Sequence, residues 1–142
     1  MKPVTMQNTE RGFTLVELAV VVVIIGVLAA FAVPQFLESV ERSKASESFN
    51  YLSSVASAQA RHQARNSIYA NQMADLDIKM PSPKNFTVGT IKVPAGERSL
   101  ETGWELALTR SGASAGYGDY TVVYNHEGFD AATSTIKPDM VP

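Results

Sequence analysis

The sequence has no cysteine among its 142 residues, and only one tryptophan and two histidines. The absence of cysteine excludes disulfide bonds, thiolate metal sites and a cysteine nucleophile. The chain also lacks a basic excess, since its formal net charge is -2, so the overall charge does not point to nucleic acid or anionic lipid as a partner. The length leaves room for one domain with a modest core.

A long apolar run lies near the amino terminus. Every residue from Leu18 to Val33 is apolar or glycine, and counted from Phe13 the run has 21 residues. As a helix it would be about 31 Å long, which is enough to cross a bilayer. Lys2 and Arg11 precede the run, and their charge favours a cytoplasmic leader. The sequence therefore predicts one membrane-spanning helix.

Glu17 is the one charged residue in that run. An ionised carboxylate in hydrocarbon costs about 2.5–3.5 kcal/mol, so the side chain needs a partner. One interpretation is a plain anchor with Glu17 near the headgroups. A second is a removable secretory signal cut after Ala30-Phe31-Ala32, although Glu10 and Glu17 do not suit its basic region. A third interpretation is that the processing signal is the junction from Gly12 to Glu17.

The segment Arg11-Gly12-Phe13-Thr14-Leu15-Val16-Glu17-Leu18, followed by the apolar run and Pro34, closely resembles the amino terminus of type IV pilins and type II secretion pseudopilins. In that family a membrane aspartyl peptidase cuts after the glycine and methylates the new amine. The resemblance covers roughly the first third of the chain. It implies cleavage between Gly12 and Phe13 and N-methylation of Phe13.

Two further residues are assigned to assembly. A free amine at Phe13 would supply the positive charge that Glu17 lacks within the apolar run, and we expect the two to pair between adjacent subunits. Glu17 also falls in the first helical turn, where the helix dipole favours a negative group. Pro34 should kink or locally open the helix. The resemblance implies unwinding between Gly26 and Pro34 during assembly, whereas the simpler alternative is a kink at the membrane exit.

Beyond Pro34 the apolar residues recur mostly at steps of three or four, which predicts one helix from about Phe13 to Arg65, ended by Asn66 and Ser67. Its apolar stripe consists of Phe36, Leu37, Val40, Ala45, Phe49, Leu52, Val55, Ala56 and Ala60.

Three strands are predicted after a connection over residues 67–85. They are Phe86 to Val93, Trp104 to Thr109 and Tyr120 to Tyr124, and the last two alternate with period two. We expect an antiparallel sheet that covers the helix stripe, with the tail 126–142 adding an edge strand. The fold class is therefore α+β: a long amino-terminal helix packed against a small sheet. Residues 1–12 are a leader, 13–35 a transmembrane and filament-core helix, and 36–142 a soluble head.

Three patterns could indicate other chemistry, and for each the simpler alternative is preferred. Gly112 to Gly116 matches the G-x-S-x-G nucleophile elbow around Ser114, with Asp119 and His126 downstream, but it lacks the strand-turn-helix context that the elbow needs. Arg61, His62 and Arg65 could contact DNA, but a solvated face is expected. Oxygen ligands suit calcium, yet the spacing of the late carboxylates favours solvated loops: Asp119, Glu127, Asp130 and Asp139, with Asn125 nearby.

The resemblance implies a structural filament subunit and not an enzyme, with no catalytic residue, no metal and no cofactor. Its partners would be further copies of itself, the prepilin peptidase and the inner-membrane assembly machinery, and nucleic acid is not expected. The precursor would cross the inner membrane once and end in an extracellular pilus. The alternative is a pseudopilin of a type II secretion system in a periplasmic pseudopilus. A calcium requirement for folding would favour that alternative.

Overall fold

The computed structural model describes residues 12–113 and 116–142, and its first element is a single long helix. Helix α1 runs over Leu15–Asn66, 52 residues. It ends where Ser67 adopts a positive φ of 60°, a conformation in which few non-glycine residues continue a helix. The predicted helix from Phe13 to Arg65 is confirmed, with differences of two residues at its start and one at its end.

Helix α1 is continuous across Gly26 and Pro34. A proline inside a helix removes one backbone donor and crowds the preceding turn, which is the physical reason to expect a local opening there. In this described stretch no opening occurs, because the α-helical conformation persists on both sides of Pro34. The assembly role of Pro34 stays a prediction.

The chain divides into two compact units, one up to Phe36 and one over Leu37–Pro142. Among the described residues of the first unit, every large apolar side chain is at least half exposed, from Phe13 at 84% to Phe36 at 67%. An 18-residue window of α1 near the amino terminus has a mean hydropathy of 2.9 and none of it is buried. By length and composition this part of α1 can cross a membrane.

The second unit contains a four-stranded antiparallel sheet in the order β1-β2-β3-β4. The strands are β1 Phe86–Val88, β2 Glu105–Arg110, β3 Thr121–Asn125 and β4 Gly128–Phe129. Two short 3-10 helices, Met73–Asp75 and Pro138–Met140, lie in the connections. The edge strand expected in the tail is confirmed as β4.

Strand β1 is shorter than the predicted Phe86 to Val93. At its end, a Cβ on Gly89 would lie 2.8 Å from the carbonyl oxygen of Ala107, so only glycine fits that close approach. The chain then leaves the ladder and returns to β2 at a single bridge between Lys92 and Glu105. Glycine at a backbone approach of this kind typically ends or bends a strand.

The core lies between the second half of α1 and one face of the sheet. On the sheet, the alternating residues Trp104, Leu106 and Leu108 are each no more than 1% exposed, as expected. On the helix, Phe36 and Ala60 of the predicted stripe are exposed instead of buried. The buried helix positions are Glu41, Ala45, Ser48, Phe49, Tyr51, Leu52, Val55, Ala58 and Gln59.

Gln59 fixes the chain as it leaves α1. Its side-chain amide donates to the carbonyl oxygen of Ala70 at 3.0 Å and accepts from the Ala70 amide at 2.8 Å. Both bonds are buried, and they satisfy a backbone residue that has no strand or helix partner of its own. The connection is thereby held against the helix, with Leu76 buried in the same core.

Candidate functional site

The start of α1 is closed by a capping box between Thr14 and Glu17. The Glu17 Oε2 atom accepts from the Thr14 amide at 2.9 Å and from the Thr14 hydroxyl at 2.8 Å. The Glu17 amide in turn donates to the Thr14 Oγ1 atom at 3.2 Å. This reciprocal arrangement satisfies amides that a helix leaves without partners at its first turn. The expectation that Glu17 lies in the first helical turn is confirmed.

The capping box uses only one oxygen of the carboxylate. Among the described residues, both bonds that Glu17 accepts go to Oε2. The surroundings are apolar and open, with Phe13 84% exposed and Val16 72% exposed. The site is thus a single carboxylate, held in place by Thr14, within an uncovered apolar surface.

The residues that flank this site match a described family. The family "Prokaryotic N-terminal methylation motif" matches residues 7–33, which include Gly12, Phe13 and Glu17. The fimbrial protein EcpC of Eikenella corrodens is 49% identical over 45 residues. In its amino-terminal segment the chain is similar to type IV fimbrial proteins. Among further relatives, the type IV major fimbrial protein FimA of Dichelobacter nodosus is 52% identical over 42 residues.

The matches to these relatives cover less than half of the chain. The type IV major pilin protein PilA of Myxococcus xanthus is 46% identical over 66 residues, or 44% of this chain and 30% of PilA. The matches to EcpC and FimA cover 32% and 30% of this chain, and 29% and 26% of those proteins. The chain therefore matches less than a third of the length of each of these three relatives.

Gly12 is not packed against other described residues. A Cβ added to it would meet no atom within 4 Å among the described residues. The packing of the described residues therefore places no steric demand for glycine at this position. The remainder of the leader, including Lys2, Glu10 and Arg11, lies outside the described residues.

The late carboxylates do not converge. Asp119, Glu127 and Asp139 are exposed in separate parts of the chain, Asp139 within the second 3-10 helix. Asp130 accepts hydrogen bonds from the amides of Ala132 and Thr133 in its own turn. The hydrogen bond from the Thr133 side chain, followed by those two amides, lowers the pKa of Asp130. Within residues 12–113 and 116–142, no group of three or more His, Cys, Asp or Glu could hold a metal ion.

The arginines at the end of α1 form ion pairs with the carboxylate of Asp77. Arg61 donates to both oxygens of Asp77, at 3.1 and 2.8 Å, and Arg65 lies 3.7 Å from the same carboxylate. Hydrogen bonding to Arg61 lowers the pKa of Asp77. His62 contacts the carbonyl oxygen of Ile68 at 3.0 Å. Because the two arginines share one carboxylate, Asp77 compensates one of their two positive charges.

The described residues of the elbow-like sequence, Gly112, Ala113 and Gly116, lie between β2 and β3. Ser114 falls outside the described residues. Of the downstream residues, Asp119 is exposed, and the His126 Nε2 atom is 4.0 Å from a carboxylate oxygen of Glu97. The helix that a nucleophile elbow requires is not present after this loop in the described part of the chain, where the next element is strand β3.

The sequence reasoning missed a buried polar network in the head. Glu41 on α1 is 0% exposed and Arg110 on β2 is 1% exposed. The Arg110 Nε and Nη2 atoms donate to the two Glu41 oxygens at 2.6 and 3.1 Å. The Tyr120 hydroxyl donates to Glu41 Oε1 at 3.1 Å. Arg110 Nη1 also donates to the carbonyl oxygens of Asn85 and Ser111.

This network is fully hydrogen-bonded. Burial acts to raise the pKa of Glu41, but the hydrogen bonds and charge of Arg110, with Tyr120 and Lys44, outweigh it and hold that pKa below its ordinary value. Burial, followed by the Glu41 charge, raises the pKa of Tyr120. Among the described residues, no buried side-chain nitrogen or oxygen lacks a partner. A satisfied network of this kind ties helix and sheet together in one arrangement.

Proposed function

We propose that this chain is a structural subunit of a type IV pilus-like filament, assembled through its amino-terminal helix. The observation that carries the proposal is the uncovered apolar first part of α1 with one capped carboxylate at its start. An apolar surface of this extent needs lipid or other apolar helices around it. The names of the relatives, fimbrial proteins and a major pilin, support filament subunit over membrane-anchored enzyme.

Processing would precede assembly. In this proposal residues 1–12 are a leader, the prepilin peptidase cuts between Gly12 and Phe13, and Phe13 becomes the N-methylated first residue. Since the described residues leave room for a side chain at position 12, the proposal assigns the need for glycine there to the peptidase. A peptidase that must reach the backbone provides one, because glycine offers no side chain in its way.

Assembly would move residues 13–35 from lipid into a filament core built of the same segment from other subunits. For apolar side chains this exchange is nearly neutral, so polar contacts have to set the register between helices. Glu17 is the charged side chain available within the segment, and the new amine at Phe13 is its complement. We infer that Glu17 pairs with the Phe13 amine of an adjacent subunit, since a subunit at the wrong height would leave both charges buried alone.

The soluble head, residues 36–142 in this proposal, carries no catalytic role and no cofactor. The precursor would cross the inner membrane once and depend there on the assembly machinery. It would end in an extracellular pilus, or, in the alternative, in the periplasmic pseudopilus of a type II secretion system.

Two substitutions separate charge pairing from helix capping. Glu17→Gln removes the charge, but glutamine still serves as the third residue of a capping box. Thr14→Val removes the capping hydroxyl and keeps the carboxylate. In cells that express only the variant, Glu17→Gln should insert and be processed to a mass that begins at Phe13, while sheared surface filaments become scarce. Thr14→Val should leave filaments in place.

Normal filament yield from Glu17→Gln, with loss in Thr14→Val, would show that Glu17 acts only at its own helix start. A mature mass that begins at Val33 would instead establish a secretory signal and overturn the filament proposal. If processed chain accumulates without surface filaments in the unsubstituted protein, and the head needs calcium to fold, the pseudopilus becomes the better assignment.

A further inference from the structure

The outer edge of β3 is covered over its whole length, although β4 accounts for only part of it. Strand β4 pairs Phe129 with Tyr124 and Gly128 with Asn125. One more backbone bond follows, from the Asp130 amide to the carbonyl oxygen of Val123 at 2.9 Å. Beyond that point the chain turns away from the strand direction and the ladder would normally end.

Two side-chain hydroxyls continue the ladder. The Val123 amide donates to the Ser134 Oγ atom at 2.9 Å, and the Thr121 amide donates to the Thr135 Oγ1 atom at 2.8 Å. The Thr135 amide completes the pairing by donating to the carbonyl oxygen of Thr121 at 3.0 Å. The hydroxyls thus occupy the places that carbonyl oxygens of a neighbouring strand would take.

A compact turn presents the Ser134 hydroxyl to β3. The Ser134 amide and hydroxyl both donate to the carbonyl oxygen of Asp130, at 3.1 and 2.6 Å. The Asp130 carboxylate accepts from the amides of Ala132 and Thr133 at 2.9 and 3.3 Å. The Ser134 hydroxyl therefore donates one hydrogen bond, to the carbonyl oxygen of Asp130, and accepts another, from the Val123 amide.

The segment that follows is anchored without a covalent bond. Ile136 is 8% exposed and Met140 is 0% exposed, both within the main core. The Lys137 ammonium lies 5.0 Å from the centre of the Tyr117 ring and 3.3 Å from the carbonyl oxygen of Gly116. Since the chain has no cysteine, the segment is held by hydrogen bonds and burial alone, and these can be released and remade.

The edge that this segment covers would otherwise be prone to pair with another chain. Strand β3 reads Thr-Val-Val-Tyr-Asn, which is rich in β-branched residues and contains neither a charge nor a proline. Uncharged edge strands of this composition readily accept a further strand, and identical segments align in register. The opposite edge of the sheet, β1, has only three residues, and short edges are protected by their length.

We propose that residues 130–141 form a releasable strap whose Ser134 and Thr135 hydroxyls close the edge of β3 against the same edge of a second copy of this chain. The proposal goes beyond the filament role and does not depend on it. The strap provides, with two hydroxyls and two buried side chains, the edge closure that a longer partner strand would give.

The test uses the full chain in detergent micelles and compares two double variants. Ser134→Ala with Thr135→Val removes both strap hydroxyls at nearly constant volume. Thr87→Val with Thr109→Val is the matched control, because it removes two exposed hydroxyls that face each other across β1 and β2. Amide hydrogen exchange is measured at Thr121 and Val123, and copies joined by an amine-reactive cross-linker are counted.

In the strap variant, exchange at both amides should accelerate about tenfold, equivalent to about 1.4 kcal/mol, and cross-linked dimers should increase. The control should match the unsubstituted chain in both measurements. Unchanged exchange would overturn the strap, and faster exchange without more dimers would overturn its role against a second copy. If the double variant does not fold, Thr135→Ser and Thr135→Val decide, since only serine should keep the Thr121 amide protected.

Discussion

Arg110 lies between the carboxylate of Glu41 and the ring of Phe86, whose centre is 5.8 Å from its guanidinium carbon. The sequence does contain a signal for this position. Arg110 continues the alternation of Leu106 and Leu108 on the buried face of β2, and Glu41 continues the spacing of the buried helix residues. Charged residues are nearly always solvent-exposed, so the apolar pattern alone ends before them. The contact between Arg110 and Glu41 joins two different elements, so the sequence around either residue does not indicate it.

Removal of one partner from this pair should be far more harmful than removal of both. Arg110→Met leaves the buried Glu41 carboxylate without its bidentate partner, although the Tyr120 hydroxyl at 3.1 Å and the Lys44 ammonium at 3.9 Å remain. We expect it to lower the free energy of unfolding by about 3–5 kcal/mol. The double variant Glu41→Leu with Arg110→Met should recover most of that loss. Unfolding of the full chain in denaturant can be followed through the fluorescence of Trp104, its only tryptophan.

The control is Arg42→Met, which breaks the exposed pair with Glu38 at 3.4 Å and should change the free energy of unfolding by no more than about 0.5 kcal/mol.

The pH dependence of the free energy of unfolding provides a second measurement. Because the pKa of Glu41 is lowered in the folded chain, its contribution is present above the unfolded value of 4.5 and disappears as the pH falls through the folded value. Equal losses for Arg110→Met and Arg42→Met would contradict this account.

At the scale of the elements, the long helix was the most predictable feature and the short strands the least. Helix α1 has many turns of apolar periodicity, so an error at one position hardly moves its ends. Strand β1 was predicted too long because Val93 and Ile91 suit a strand, whereas the approach of Gly89 to Ala107 is a tertiary contact. The role of Gln59 was missed as well, since nothing in a helical glutamine indicates a backbone partner eleven residues later.

The packing of α1 on the sheet can be measured at two aromatic residues. Phe49 packs its ring against Phe129 at 5.0 Å and Tyr124 at 6.0 Å between centres, and Trp104 is 1% exposed. Phe49→Ala and Trp104→Ala should each lower the free energy of unfolding by about 3–5 kcal/mol. Circular dichroism during denaturation reports both variants. Ile68→Ala, at a side chain 39% exposed, is the control, and a loss there as large as at Phe49 would show that the core is misplaced.

At the scale of the whole molecule, the unit over Leu37–Pro142 contains the sheet, the core and the buried network. From composition the sequence predicts a boundary between residues 35 and 36, because the apolar run ends abruptly before the amphipathic stripe begins. The division into a filament-core helix and a soluble head stays a prediction. Composition could not predict that Thr14 is the local partner of Glu17. The Thr14 contact with Glu17 follows from capping geometry, whereas any contact with another subunit depends on surfaces that no single chain contains.

A fragment that begins at Glu38 should therefore be soluble and monomeric without detergent. It lacks the exposed apolar residues up to Phe36 and keeps every group of the Glu41 network. Sedimentation together with Trp104 fluorescence checks the mass and the fold. A fragment that begins at Phe13 serves as the comparison and should require detergent. Aggregation of the shorter fragment, or an exposed tryptophan in it, would show that the head needs the apolar part of the helix.

The distance along the chain between Glu41 and Arg110 has a consequence for biosynthesis. The two residues are 69 positions apart, and ribosomes add about 5–20 residues each second. For about 3–14 s, the carboxylate and the apolar stripe around it have been synthesised while their partner strand does not yet exist. During that interval the sheet-binding face of the nascent helix is uncovered, and a chaperone can compete with folding. If the apolar start of α1 enters a membrane as proposed, the lipid surface can compete as well.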